Sequence, residues 1–88
     1  MTKELRDFIN RVRKAQDMIY AGKAGKNISI DIDVYQDYIR IDVYEQSADD
    51  NHDVLKHEHL TIYEDHAIDR KEISESLSRM SQIVGFDI

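Results

Sequence analysis

Residues 28–44 read Ile-Ser-Ile-Asp-Ile-Asp-Val-Tyr-Gln-Asp-Tyr-Ile-Arg-Ile-Asp-Val-Tyr. Apolar and polar residues alternate in two runs around a short polar break, which is the pattern of two half-buried antiparallel strands. One side must therefore face a core, and it carries Ile28, Ile30, Ile32, Val34, Ile39, Ile41 and Val43. The other side is open to a partner and carries Ser29, Asp31, Asp33, Tyr35, Tyr38, Arg40, Asp42 and Tyr44.

The same alternation predicts how the strands pair, because apolar positions must lie opposite apolar positions. A turn at residues 36–37, or a loop over 35–38 with the same parity, places Asp31 directly opposite Asp42. A third strand ends in Leu60-Thr61-Ile62-Tyr63, and a connection centred on residues 51–52 places Val43 opposite Leu60. The predicted rows of polar residues are then Ser29–Tyr44–His59, Asp31–Asp42–Thr61 and Asp33–Arg40–Tyr63.

Two amphipathic helices flank the strands. The first is predicted over about residues 3–21, with Thr2 as N-cap, Gly22, Lys23, Gly25 and Lys26 ending it, and an apolar stripe of Leu5, Phe8, Ile9, Val12, Ala15 and Ile19. The second spans about residues 70–84. Asp69 and Glu72 form a capping box there, and Gly85 follows as a left-handed end.

The predicted fold is a single two-layer α+β domain over residues 1–88, in the order α-β-β-β-α. Its strands, at about residues 27–35, 38–47 and 55–64, form a three-stranded antiparallel meander with both helices on one face. Residues 45–58 continue the hairpin with polar inward positions, Glu45, Ser47, Lys56 and Glu58. We therefore expect a solvated arm with its tip at residues 49–53.

The chain is acidic, and its charge is unevenly distributed. Its 88 residues contain no Cys and carry a formal net charge of -6. Seven basic residues oppose three acidic ones over 1–27, whereas two oppose twelve over 28–69. The strand region should therefore repel nucleic acid and attract basic protein surfaces. Neither a membrane span nor a signal peptide is evident, so the expected location is the cytoplasm.

The histidines do not predict a metal site. His57 and His59 lie on one side of a strand, but zinc requires a third converging ligand, and their predicted neighbours Gln46 and Tyr44 are not usual ligands. His52 and His66 lie in acidic surroundings. No phosphate-binding glycine loop, nucleophile elbow, Cys nucleophile or HExxH motif occurs. We expect no enzyme activity and no metal or cofactor.

Asp31 opposite Asp42 is an unusual pairing, because facing like charges destabilise a sheet. Such carboxylates can receive Arg or Lys from a partner, or share a proton in acid-base catalysis. Alternatively, nearby basic side chains neutralise them, or the register differs.

The order α-β-β-β-α is also the topology of double-stranded RNA-binding domains. The residues do not match that family, because the last helix begins Asp-Arg-Lys-Glu-Ile-Ser-Glu instead of with a lysine cluster, and the hairpin lacks a Gly-Pro-x-His-like loop. Direct nucleic-acid binding is therefore not expected.

The sequence predicts a small non-enzymatic regulator or inhibitor, a class that includes proteins of phage or mobile-element origin, that binds a basic protein surface and no membrane. The predicted binding residues are Asp31, Asp33, Tyr35, Tyr38, Arg40, Asp42, Tyr44, His59 and Tyr63. Two alternatives are a homodimer formed through the sheet face or first helix, and an acidic mimic of nucleic acid that blocks a DNA- or RNA-binding protein.

Overall fold

The computed structural model describes residues 2–25, 27–49, 51, 53–64 and 66–88. Its elements are α1 (Lys3–Tyr20), β1 (Ile28–Val34), β2 (Tyr38–Gln46), β3 (Val54–Tyr63) and α2 (Arg70–Val84). The strands form an antiparallel sheet in the order β1-β2-β3. Helix α1 packs on β1, and α2 packs on β3 and β2. The predicted α+β fold is confirmed.

The core lies between the sheet and the apolar stripes of both helices. Val12 from α1, Val43 from β2 and Met80 from α2 are all fully buried in it. The prediction that Val34 faces the core is wrong, because this side chain is 52% exposed. Val34 is the last residue of β1 and lies beside the turn, where the helices no longer cover the sheet.

The predicted N-caps are confirmed. Thr2 Oγ1 accepts a hydrogen bond from the Leu5 N–H at 3.2 Å, and Asp69 Oδ1 accepts one from the Glu72 N–H at 3.0 Å. Gly85 ends α2 with a φ of 86°, a left-handed conformation that glycine adopts without a steric penalty. Lys26, predicted to help end the first helix, lies outside the described residues.

The predicted register between β1 and β2 is confirmed, and Asp31 lies directly opposite Asp42. The Tyr35 N–H donates to the Tyr38 carbonyl at 2.8 Å. Residues 36–37 therefore form the turn, which is the shorter of the two predicted connections.

The predicted register between β2 and β3 is wrong by two residues. Val43 lies opposite Glu58, and Leu60 lies opposite Ile41. A displacement by two residues keeps every side chain on its predicted face, so the apolar pattern does not distinguish the two registers. The observed rows are Ser29–Tyr44–His57, Asp31–Asp42–His59, Asp33–Arg40–Thr61 and Tyr38–Tyr63.

The β2–β3 pairing also contains an irregularity near the connection. Gln46 pairs with Val54, whereas the preceding Glu45 pairs with Lys56. Leu55 is therefore an extra residue in β3, as in a β-bulge. Without it, the following residues of β3 would have their side chains on the opposite faces of the sheet.

The hairpin arm extends the molecule, whose principal extents are 41 × 21 × 21 Å. Helix α2 covers more of the arm than predicted, because Arg79 Nε lies 3.0 Å from Glu58 Oε2 and Ser76 Oγ lies 3.4 Å from Glu58 Oε1. Of the predicted tip, Asp50 and His52 lie outside the described residues. Within the described chain, no helix has the length and apolar character required to cross a membrane.

Candidate functional site

The sheet surface turned away from the helices is the candidate site, and we refer to it as the outer face. It consists of Ser29, Asp31, Asp33, Tyr38, Arg40, Asp42, Tyr44, His57, His59, Thr61 and Tyr63. Every predicted binding residue lies on this face except Tyr35, which lies between the end of β1 and the turn. Alternation along three paired strands is what brings these side chains together.

Asp42 forms the polar centre of the outer face. Its carboxylate accepts two hydrogen bonds from Arg40, from Nε to Oδ2 at 3.0 Å and from Nη2 to Oδ1 at 3.1 Å. His57 Nε2 lies 2.9 Å from Asp42 Oδ1. The residue is 4% exposed although it lies on the solvent side of the sheet. Neighbouring side chains therefore occupy most of the space in which water would otherwise contact the Asp42 carboxylate.

These contacts determine the ionisation of Asp42. Burial by itself raises the pKa of the carboxyl, but the hydrogen bonds and charges of Arg40 and His57 outweigh burial, so the pKa lies below its ordinary value. Asp42 is therefore a stable carboxylate. Of the alternatives for the facing carboxylates, neutralisation by a nearby basic side chain describes Asp42, whereas Asp31 remains exposed.

His57 is a member of the site that the sequence did not predict. Its ring stacks on Tyr44 with centroids 4.4 Å apart and planes 6° apart, and it lies 5.6 Å from the His59 ring. The two-residue error in register placed His57 beside Gln46 instead of Tyr44. Burial, followed by the negative charges of Asp42 and Asp31, raises the pKa of Tyr44.

A second aromatic group lies at the turn end of the outer face. Tyr35 stacks on Tyr38 at 4.5 Å between centroids, and Tyr38 lies 5.5 Å from Tyr63. His66, which the sequence did not place here, extends the row at 5.3 Å from Tyr63. Tyr35 and Tyr63 remain 49% and 46% exposed. These four rings form a continuous aromatic surface next to the Arg40–Asp42 pair.

The described residues contain no group of three or more His, Cys, Asp or Glu side chains placed to hold a metal ion. His57 and His59 are adjacent, but His57 is engaged with Asp42. His52, considered above as a further histidine, lies outside the described residues.

A groove of about 1020 Å³ between α1 and α2 was not predicted. Apolar side chains that include Leu5, Phe8 and Ile73 line it. Its polar rim is bound within the protein, because Arg70 donates two hydrogen bonds to Glu4 and Arg11 donates one to the Ile88 carbonyl. The groove results from two helices that each pack on a different part of the sheet.

No protein-family model, curated protein or solved structure matches this chain. The assignment of the outer face as the candidate site therefore rests on the geometry described above.

Proposed function

We propose that this protein is a binding module whose outer face receives Arg or Lys side chains of a partner protein. The observation that carries the proposal is an exposed acidic pair, Asp31 and Asp33, beside the aromatic row of Tyr35, Tyr38 and Tyr63. Both features lie on the outer face or directly beside it, at Tyr35.

The charge of the face favours a basic partner. Arg40 is its one arginine or lysine, and Arg40 is already bound to Asp42. Asp31 and Asp33 therefore make the net charge of the remaining surface negative. A partner guanidinium could form bidentate hydrogen bonds with either carboxylate.

The tyrosines supply the apolar part of such an interface. Tyrosine side chains provide a large contact area and lose few rotatable bonds on binding, so they are common in binding hot spots. Because Tyr38 is held between Tyr35 and Tyr63, the row is already ordered in the free protein. Less side-chain entropy is then lost when a partner binds.

An oligoarginine peptide tests the charge preference by NMR titration. We expect its amide shift changes to concentrate on residues of the outer face, because those carboxylates lie beside aromatic rings. Changes confined to the arm tip or to α2 would show that general acidity attracts the peptide, and would contradict the proposal.

Two matched pairs of variants localise the binding. Asp31→Asn with Asp33→Asn should weaken peptide binding by about tenfold or more, because both carboxylates are removed. Asp49→Asn with Asp53→Asn, which makes the same charge change on the arm, should change binding much less. Likewise Tyr63→Ala should weaken binding, whereas Tyr20→Ala on α1 should not. Equal losses within either matched pair would contradict an outer-face site.

A further inference from the structure

The two edges of the sheet differ in their contacts with the rest of the protein. The Asn27 carbonyl accepts from the Gln46 N–H at 2.9 Å, and the Tyr35 N–H donates to the Tyr38 carbonyl at 2.8 Å. Odd-numbered residues of the first strand region therefore bond to β2, and even-numbered residues of β1 point their backbone groups to the edge. Gln16 from α1 donates to one of these groups, the Ile30 carbonyl, at 2.8 Å. Helix α1 thus binds this edge at Ile30.

At the β3 edge, the odd-numbered residues are the ones whose backbone groups face outward. The Glu64 N–H donates to the Asp37 carbonyl at 3.0 Å, so even-numbered residues of β3 bond to β2. The N–H and C=O groups of His57, His59 and Thr61 then point away from β2, in the plane of the sheet, toward its open edge. In the described sheet, β2 is the one strand that pairs with β3.

This open segment has defined ends. Leu55 forms the bulge before it, and the Tyr63 carbonyl after it accepts from the His66 N–H at 3.3 Å. An antiparallel second strand can use all three open residues only if it is centred on His59. Centring on Glu58 would place two Glu58 side chains face to face, which is unfavourable, and would pair Thr61 with the bulge residue Leu55 instead of with an open residue.

We propose that two copies of this chain form a two-fold dimer in which β3 pairs antiparallel with β3 of the second copy. His59 lies opposite His59 of the second copy, and His57 lies opposite Thr61 of the second copy. These pairs make about six interstrand hydrogen bonds and join two sheets into one of six strands. The proposal does not rest on the proposed function, because its hydrogen bonds come from the backbone of the β3 edge.

Two further observations favour a second copy as the occupant. Leu55 and Tyr63, at opposite ends of the open segment, are 58% and 46% exposed. Centring on His59 places Leu55 of one copy opposite Tyr63 of the second copy, which covers apolar surface at both ends. The pairing also keeps both helix layers on one side of the joined sheet, because directly opposite residues share a face.

Sedimentation velocity from low micromolar to near-millimolar concentration tests the proposal, and we expect a monomer–dimer equilibrium. His59→Pro removes an N–H that does not bond to β2, so it should raise the dimer dissociation constant about 30-fold or more. His59→Ala is the matched control and should leave the dimer intact. A monomer at every concentration, or a dimer unaffected by His59→Pro, would overturn the proposal.

A crosslinking experiment remains decisive if His59→Pro fails to fold. The chain contains no cysteine, so His59→Cys introduces one thiol per copy on the proposed two-fold axis. A short bismaleimide should link this variant into covalent dimers. Ser29→Cys, on the same outer face but on β1, should give few. Equal crosslinking of both variants would overturn the β3 pairing.

Discussion

The carboxylate of Asp42 is bound by His57, which lies diagonal to it across the β2–β3 pair, at 2.9 Å between Oδ1 and Nε2. The residue directly opposite Asp42 is His59. Arg40, on the same strand as Asp42, holds this carboxylate in place, and the charge-assisted hydrogen bond with His57 links β2 to β3. These contacts stabilise the sheet, whereas Asp31 and Asp33 remain exposed.

Asp42→Asn should lower the free energy of unfolding by about 1–3 kcal/mol, because it removes a mostly buried charge that accepts hydrogen bonds from Arg40 and His57. Urea unfolding at neutral pH measures this loss. Asp31→Asn is the matched control on the facing strand and should change stability by about 0.5 kcal/mol or less. Equal effects of the two substitutions would contradict the assigned role of Asp42.

The contribution of the Asp42 carboxylate to folding stability should disappear at acidic pH. Because its pKa is lower in the folded protein than in the unfolded chain, the carboxylate stabilises the fold above the ordinary aspartate pKa of about 3.9. That stabilisation is lost as the pH falls through the folded-state pKa. The difference in urea midpoint between wild type and Asp42→Asn should therefore shrink between about pH 5 and pH 2. A constant difference would contradict the lowered pKa.

The Tyr44 phenol should ionise at a higher pH than an ordinary tyrosine. Burial, followed by the charges of Asp42 and Asp31, raises its pKa, so the protonated phenol stabilises the fold until the pH rises through the folded-state value. In a tyrosinate absorbance titration, Tyr44→Phe should remove a component that titrates above about pH 10. Asp31→Asn should shift that component to lower pH, since it removes one negative charge. No shift would show that Asp31 does not act on the phenol.

The N-terminus of α2 depends on one side chain. Asp69→Ala removes the acceptor of the Glu72 N–H and should cost about 1 kcal/mol, which lowers the thermal midpoint by several degrees in a domain of this size. Asp69→Ser keeps an acceptor and should restore most of the loss. Calorimetry distinguishes the two variants, and an unchanged midpoint in Asp69→Ala would exclude the cap.

The centre of the sheet should not tolerate charge. Ile41 is 1% exposed in the middle strand, so Ile41→Asp should cost several kcal/mol, enough to unfold a domain with a stability of about 5 kcal/mol. Ile41→Val should cost only about 0.5–1.5 kcal/mol. Circular dichroism melts measure both changes. A cooperative transition near the wild-type midpoint in Ile41→Asp would contradict the inward orientation of Ile41.

Local patterns in the sequence determined the elements, their caps and the faces of the strands. Strand alternation has a period of two, so Ile41 and Arg40 were assigned to opposite faces without any tertiary information. The caps at Thr2 and Asp69 were equally predictable, because capping depends on residues within three positions. The pairing of Asp31 with Asp42 followed because a short turn joins β1 and β2.

The tertiary structure alone decided the register of β3 and the contacts that follow from it. A shift by two residues preserves every face, so the alternation could not distinguish Leu60 opposite Val43 from Leu60 opposite Ile41. The longer connection and the extra residue at Leu55 decided it. The observed register places His57 against Tyr44 and Asp42. Separately, each helix packs on a different part of the sheet, which opens the groove between α1 and α2. These contacts join residues that are distant in the chain, so no local periodicity in the sequence predicts them.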